Sequence, residues 1–109
     1  MPDKEKILSE IKKILVPFGI EKIILFGSFA YGVPNIDSDI DLLVIKKNLP
    51  ESETRNFRLK LKKALWLKIG RYNLPFDLLV DNEERIKKRI EMGDLFYKEI
   101  YSKGKVIYA

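Results

Sequence analysis

The stretch Asp39-Ile40-Asp41-Leu42-Leu43-Val44-Ile45 decides the fold, because two carboxylates open a run that is otherwise apolar. Its aliphatic composition predicts a buried strand over residues 40–45. Residues i and i+2 of a strand project from the same face, so Asp39 and Asp41 are expected to point at one place. A lone ionised carboxylate beside a core is costly unless it is paired or binds a cation. Turn chemistry at Ser38-Asp39 is the alternative explanation of the first acid.

A second stretch has the same character. Asp77-Leu78-Leu79-Val80 repeats the letters of Asp41-Leu42-Leu43-Val44 and predicts another buried strand over residues 76–80. If the two strands lie side by side in register, Asp77 joins the first two acids. Three carboxylates are enough for two metal ions in a phosphoryl- or nucleotidyl-transfer site. Taken alone, Asp77 is better explained as a turn residue that initiates a strand.

The remaining pattern alternates helices and strands. We predict helices over residues 4–18, from Ser52 as the cap to 69, from a cap at Asp81 or Asn82, and over 94–102, and strands over 21–26 and 105–108. The predicted fold class is α/β (α+β), a mixed β-sheet covered by helices, in a single domain spanning residues 1–109. Trp66 is expected in a core or an interface.

The composition narrows the chemistry. The 109 residues include no cysteine and no histidine. Acid–base and metal chemistry therefore falls to carboxylates, which favour Mg²⁺ or Mn²⁺ over zinc. No signal peptide or membrane span is recognisable, so a cytoplasmic protein is expected.

The positive charge is concentrated in one segment. Residues 46–72 carry nine Lys/Arg against two Asp/Glu, whereas the whole chain has a net charge of +5. A solvated helix face and an acidic partner are equally good interpretations of this segment. Direct nucleic-acid binding is not expected, since no reader motif accompanies the charge.

Gly27-Ser28 follows the first predicted strand. A turn of this kind offers backbone N–H groups and a hydroxyl to an anion. Together, Gly27-Ser28-Phe29-Ala30-Tyr31-Gly32 and, ten residues after Ser28, Asp39-Ile40-Asp41 resemble the motifs of the minimal nucleotidyltransferases. These belong to the DNA polymerase β-like nucleotidyltransferase superfamily, and Asp77 matches its last catalytic carboxylate. The resemblance covers nearly the whole chain.

The resemblance implies roles for these residues. Gly27 and Ser28 would hold the β- and γ-phosphates of ATP or another nucleoside triphosphate. Asp39 and Asp41 would bind two Mg²⁺ ions, and Asp77 would bind one of them and help activate an acceptor hydroxyl. Many relatives carry Arg or Lys where Phe29 and Tyr31 stand, so a triphosphate contact is absent here.

The resemblance also implies a partner. Minimal nucleotidyltransferases act as antitoxins on HEPN-domain ribonuclease toxins by transferring AMP to a tyrosine. Two alternatives stay open: a module that binds nucleotide or neutralises its partner by contact without turnover, and a homodimer that modifies an aminoglycoside-like small molecule.

Overall fold

The structure is a computed structural model that describes residues 4–27, 30, 39–72 and 75–109. This part of the chain contains four α-helices and four strands. In chain order they are α1 (Lys4–Leu15), β1 (Lys22–Phe26), β2 (Ile40–Ile45), α2 (Thr54–Ile69), β3 (Phe76–Asp81), α3 (Glu83–Glu91), α4 (Leu95–Lys103) and β4 (Lys105–Tyr108).

The four strands form one mixed sheet in the order β3-β2-β1-β4. β2 pairs with β3 in parallel, and β1 pairs with both β2 and β4 in antiparallel fashion. The predicted mixed sheet is therefore confirmed. β2 lies in the interior of the sheet, which explains why every residue of this strand except Asp41 is buried.

Helices α1 and α2 cover one face of the sheet. Even-numbered side chains of β2 point to this face, where they pack against apolar side chains of both helices. The buried members of this first cluster are Ile7, Ile11, Leu15, Ile20, Ile23, Leu25, Ile40, Leu42, Val44, Leu61, Leu65, Ile69 and Leu78.

Helices α3 and α4 cover the other face. Odd-numbered side chains of β2 point there, and the smaller buried cluster consists of Ile24, Phe26, Leu43, Ile45, Ile86, Tyr97 and Ile100. A strand alternates its side chains between faces, so Asp41 shares this second face with Leu43. The two-sided burial accounts for the continuous apolar runs in β1 and β2.

The ends of the helices follow local chemistry, with one correction. Asn82 caps α3 by accepting from the N–H of Arg85, and Asp94 caps α4 by accepting from the N–H of Tyr97. The predicted cap at Ser52 is wrong. Residues 51–53 form a 3₁₀ turn, α2 begins only at Thr54, and the side chain of Thr54 donates to the Glu51 carbonyl.

Two further observations concern the surface. Trp66 is 66% exposed, so the core is excluded for this side chain, and its expected place in an interface stays a prediction. Within the described ranges, no helix combines the length and the apolar character needed to cross a membrane.

Candidate active site

Asp41 and Asp77 occupy matching positions on neighbouring strands. In the parallel pairing of β2 with β3 their Cα atoms are register partners, as are those of Leu42 and Leu78. The condition under which Asp77 joins the other acids, two similar strands side by side in register, is thus met. Facing positions in adjacent strands direct their side chains to the same side of a sheet.

Asp39 precedes β2 by one residue. It is exposed, as is Asp77, whereas Asp41 is half-buried. The three acids therefore lie where β2 and β3 begin, at the edge of the second face. This position lets them reach solvent and a ligand, while Leu43 continues the same face into the core.

The electrostatics of this group centre on Asp41. Burial raises the pKa of its carboxyl above the ordinary value of 3.8, and the negative charges of Asp77 and then Asp39 raise it further. Each effect disfavours the ionised form, so bringing a cation to Asp41 relieves the repulsion.

The backbone of Gly27 lies directly against the carboxylate of Asp41. The glycine has φ of 76°, and a Cβ at this position would clash with Oδ2 of Asp41. Its carbonyl accepts a hydrogen bond from the N–H of Ala30, 3.0 Å away. The left-handed backbone and the close carboxylate both exclude a side chain. Gly27 therefore lies in contact distance of Asp41, as a shared site requires.

The other predicted members of the turn cannot be placed. Ser28, Phe29 and Tyr31 lie outside the described residues. The predicted phosphate contact of Ser28 and the consequence of Phe29 and Tyr31 replacing cations therefore stay predictions.

The donors suit a hard divalent cation. Carboxylate oxygens are the ligands that Mg²⁺ prefers, and the crowding at Asp41 supplies a reason to bind one. Among the described residues, no group of three or more acidic, histidine or cysteine side chains is arranged to enclose a metal ion. Magnesium sites commonly use one or two carboxylates, with substrate phosphates and water completing the shell.

Sequence reasoning missed an aromatic wall beside the acids. Phe26 is the register partner of Asp41 across the antiparallel pairing, and its ring meets that of Phe96 edge to face at a centroid distance of 5.9 Å. Phe96 remains 52% exposed at the start of α4. The position of Phe26 directly before Gly27 was a signal for it, but nothing local linked Phe96 to the site.

The fold and the site together define a class. A mixed sheet places carboxylates on two adjacent parallel strands, and a glycine turn ends the antiparallel strand beside them. This arrangement brings carboxylates and a glycine turn to one edge of the sheet, where nucleotidyl transfer would require metal ligands and phosphate contacts.

The comparison with known proteins agrees. Residues 9–109 match the family described as "Polymerase beta, Nucleotidyltransferase", and the chain belongs to this family. The resemblance read from the motifs is thereby confirmed, as is the expectation of a nucleotidyltransferase enzyme.

Two similar proteins come from Methanocaldococcus jannaschii. One, named "Putative protein adenylyltransferase MJ0604", is 33% identical over 89 residues, which cover 82% of this chain and 79% of that protein. The other, "Putative protein adenylyltransferase MJ0141", is 32% identical over 78 residues, covering 69% of this chain and 72% of the relative.

A solved structure shares the fold. It is a chain from the crystal structure of the toxin–antitoxin pair MntA-HpeT carrying two aspartate-to-glutamate substitutions. The TM-score is 0.56 at 16% sequence identity, and the match covers 99% of this chain and 74% of the other.

Proposed function

We propose that this chain is a magnesium-dependent adenylyltransferase that moves AMP from ATP to a hydroxyl group of a protein. The observation that carries the proposal is the register of Asp41 with Asp77 on parallel strands, with Gly27 against the carboxylate of Asp41. The names of the two relatives from Methanocaldococcus jannaschii support adenylylation of a protein.

Each residue has a distinct task in the proposal. Asp39 and Asp41 hold Mg²⁺, or Mn²⁺ in its place, with two ions per site, and Asp77 contributes to one of them. Bound metal neutralises charge on the triphosphate and on the acceptor oxygen. Gly27 allows the chain to pass close to the ligand, and Gly27 with Ser28 binds the β- and γ-phosphates.

The chemical step is an in-line displacement at the α-phosphorus. The acceptor oxygen forms a bond to this phosphorus while the bond from the α-phosphorus to the bridging oxygen breaks, and pyrophosphate leaves. Asp77 accepts the proton of the acceptor hydroxyl or passes it to water. The raised pKa of Asp41 is consistent with a site that awaits a cation.

The proposed acceptor is a tyrosine of a HEPN-domain ribonuclease toxin, which makes this chain an antitoxin. The shared fold of the toxin–antitoxin structure supports this choice of partner.

The first test is calorimetric titration with ATP and Mg²⁺. The wild type is expected to bind only with metal present, and the double variant Asp39→Asn/Asp41→Asn is expected to lose at least tenfold in affinity, as loss of charged metal ligands would cause. Asp94→Asn is the matched control, because it removes one surface charge and asparagine preserves the helix cap.

The second test is transfer of labelled AMP to the toxin. We expect a labelled tyrosine with wild type and Asp94→Asn, and none with Asp77→Asn. Metal-independent ATP binding would contradict the metal site. Neutralisation of the toxin by the Asp39→Asn/Asp41→Asn variant would instead favour a contact-only antitoxin.

A further inference from the structure

A cleft runs along the outer edge of β3, where α2 and α4 approach the strand. Its volume is about 240 Å³. Six residues line it: Thr54, Arg55, Arg58, Leu79, Val80 and Tyr97. Two arginines thus face the apolar side chains of an edge strand, at a place that the acids do not occupy.

Arg58 is incompletely satisfied in this cleft. Its Nε is buried and has no hydrogen-bond partner among the described residues. Within the same part of the chain, neither Arg55 nor Arg58 forms an ion pair. Arginine stays charged at all relevant pH values, and a buried donor without an acceptor is unfavourable. The cleft is therefore suited to a ligand that brings an acceptor group.

The position of the cleft relates it to the acids. β3 is the outer strand of the sheet, so its far edge has no strand partner in the part of the chain that the structure describes. Leu79 follows Asp77 by two residues, so both side chains lie on the same face of β3. The two residues are about 7 Å apart along the strand. An extended segment lying along this edge would span both places.

We propose that this cleft binds a carboxylate side chain of the acceptor protein, carried on an extended segment two or three residues from the hydroxyl that is adenylylated. The inference rests on the proposed function in one respect, namely that the acceptor hydroxyl approaches Asp77. Arg55 and Arg58 receive the carboxylate, and Leu79 and Tyr97 contact the aliphatic stem.

The strand order favours the acceptor over the nucleotide as the occupant. Gly27 ends β1, whereas the cleft lies beyond β3, and β2 with Asp41 separates the two strands. The proposed phosphate contacts are thus on one side of the acids and the arginines on the other. Guanidinium groups bind carboxylates with well-defined geometry. The cleft would therefore favour acceptor proteins that carry an acidic residue near the modified hydroxyl.

The test uses fluorescence anisotropy of two labelled peptides. One has a single tyrosine with glutamates two and three residues away on both sides, and the other has glutamine at those four places. The proteins are wild type, Arg55→Gln, Arg58→Gln, their combination and Lys60→Gln. Lys60→Gln is the matched control. It removes a cation from the same helix, and Lys60 lines a different cavity.

We expect wild type and Lys60→Gln to bind the glutamate peptide at least about tenfold more tightly than the glutamine peptide. The double arginine variant should lose this preference and retain its ATP affinity in the presence of Mg²⁺. Unchanged peptide binding in the double variant would overturn the proposal, as would equal losses in Lys60→Gln or no preference in wild type.

Three further outcomes distinguish the inference from other ligands and from the proposed function. If the arginine variants lose ATP affinity, the cleft serves the nucleotide and the inference is wrong. If a single-stranded RNA of similar length displaces the peptide and binds more tightly in an arginine-dependent way, the cleft is a nucleic-acid site. If the preference holds but no AMP is transferred by the wild type, the cleft stands and the proposed function fails.

Discussion

Gly27 and Asp41 lie so close together that the carboxylate of Asp41 leaves no room for a side chain at position 27. A methyl group on Gly27 would clash with the carboxylate of Asp41, and the backbone there is left-handed. Both restrictions apply at the site rather than in the core. Glycine at this position therefore reflects the position of the acid as well as the shape of the turn.

Gly27→Ala is expected to abolish metal-dependent ATP binding and to lower the free energy of unfolding by more than the ~1–2 kcal/mol cost of a left-handed alanine. The control is Gly93→Ala, since Gly93 has φ of 100° and open space where the Cβ would lie. Gly93→Ala should show the backbone cost and bind ATP normally. Urea unfolding measures the free energy of unfolding and calorimetry measures ATP binding. If the two variants lost the same amount of stability and of ATP affinity, the proposed clash with Asp41 would be contradicted.

Tyr101 illustrates a hydroxyl that burial leaves unsatisfied. Its oxygen is buried with no hydrogen-bond partner in the described part of the chain. Burial raises the pKa of Tyr101 to about 12, and the charges of Glu83 and Glu21 contribute to the increase. The folded protein thus keeps this phenol neutral at a pH where the unfolded chain ionises it.

We expect Tyr101→Phe to be as stable as wild type or more stable at pH 7, because an unpaired buried hydroxyl is removed. A raised pKa contributes stability below the unfolded value near 10, and that contribution is lost as pH rises through about 12. The advantage of Tyr101→Phe should therefore grow between pH 9 and 11. Denaturant unfolding at each pH tests this, and a constant difference would contradict it.

At the scale of the element, β3 and α3 are joined by a compact polar junction. Asp81 is 8% exposed and pairs with Nε of Arg85, whose guanidinium also donates to the Leu49 carbonyl. Asn82 caps α3 and lies 3.5 Å from the same carbonyl through Nδ2. These contacts hold the end of β3 against the loop that follows β2, so they support the register on which the acids depend.

Asn82→Ala is expected to destabilise the fold by about 1 kcal/mol through loss of the helix cap. Asn82→Ser should recover most of this loss, because serine caps equally well. Thermal unfolding distinguishes the variants. If serine proved as destabilising as alanine, the contact with Leu49 rather than the cap would be the important one.

At the scale of the whole molecule, the sheet separates two apolar clusters that share β1 and β2. Leu42 belongs to the cluster under α1 and α2, and Leu43 belongs to the cluster under α3 and α4. Both side chains are fully buried. Since consecutive residues of one strand serve both clusters, the two faces should lose their packing together.

Leu42→Ala and Leu43→Ala are each expected to cost about 2–5 kcal/mol and to leave a single unfolding transition. Leu67→Ala is the control, because Leu67 is 70% exposed and its removal should change stability by less than about 0.5 kcal/mol. Far-ultraviolet circular dichroism and tryptophan fluorescence report the transition. Two separate transitions in either core variant would show that the clusters unfold independently.

The sequence by itself determined the strands, their apolar faces and the acids that open them. Aliphatic runs and helical periodicity are local properties, so the strand Ile40–Ile45 and a helix cap at Asn82 or Asp81 could be recognised without knowing their neighbours. The start of α2 was predicted too early, at Ser52. Polar residues such as Ser52 are typical both of a helix cap and of the 3₁₀ turn that residues 51–53 form, so the sequence does not distinguish the two.

Only the tertiary structure decided which strands are neighbours. The sheet order makes β3 an edge and brings Asp77 to Asp41, and it places Arg58 of α2 beside Leu79 and Tyr97. Periodicity tells which side of an element is buried but not what covers it, because pairing depends on how the whole chain packs its two apolar faces. The exposure of Trp66 and the cleft at β3 follow from that packing and left no local trace in the sequence.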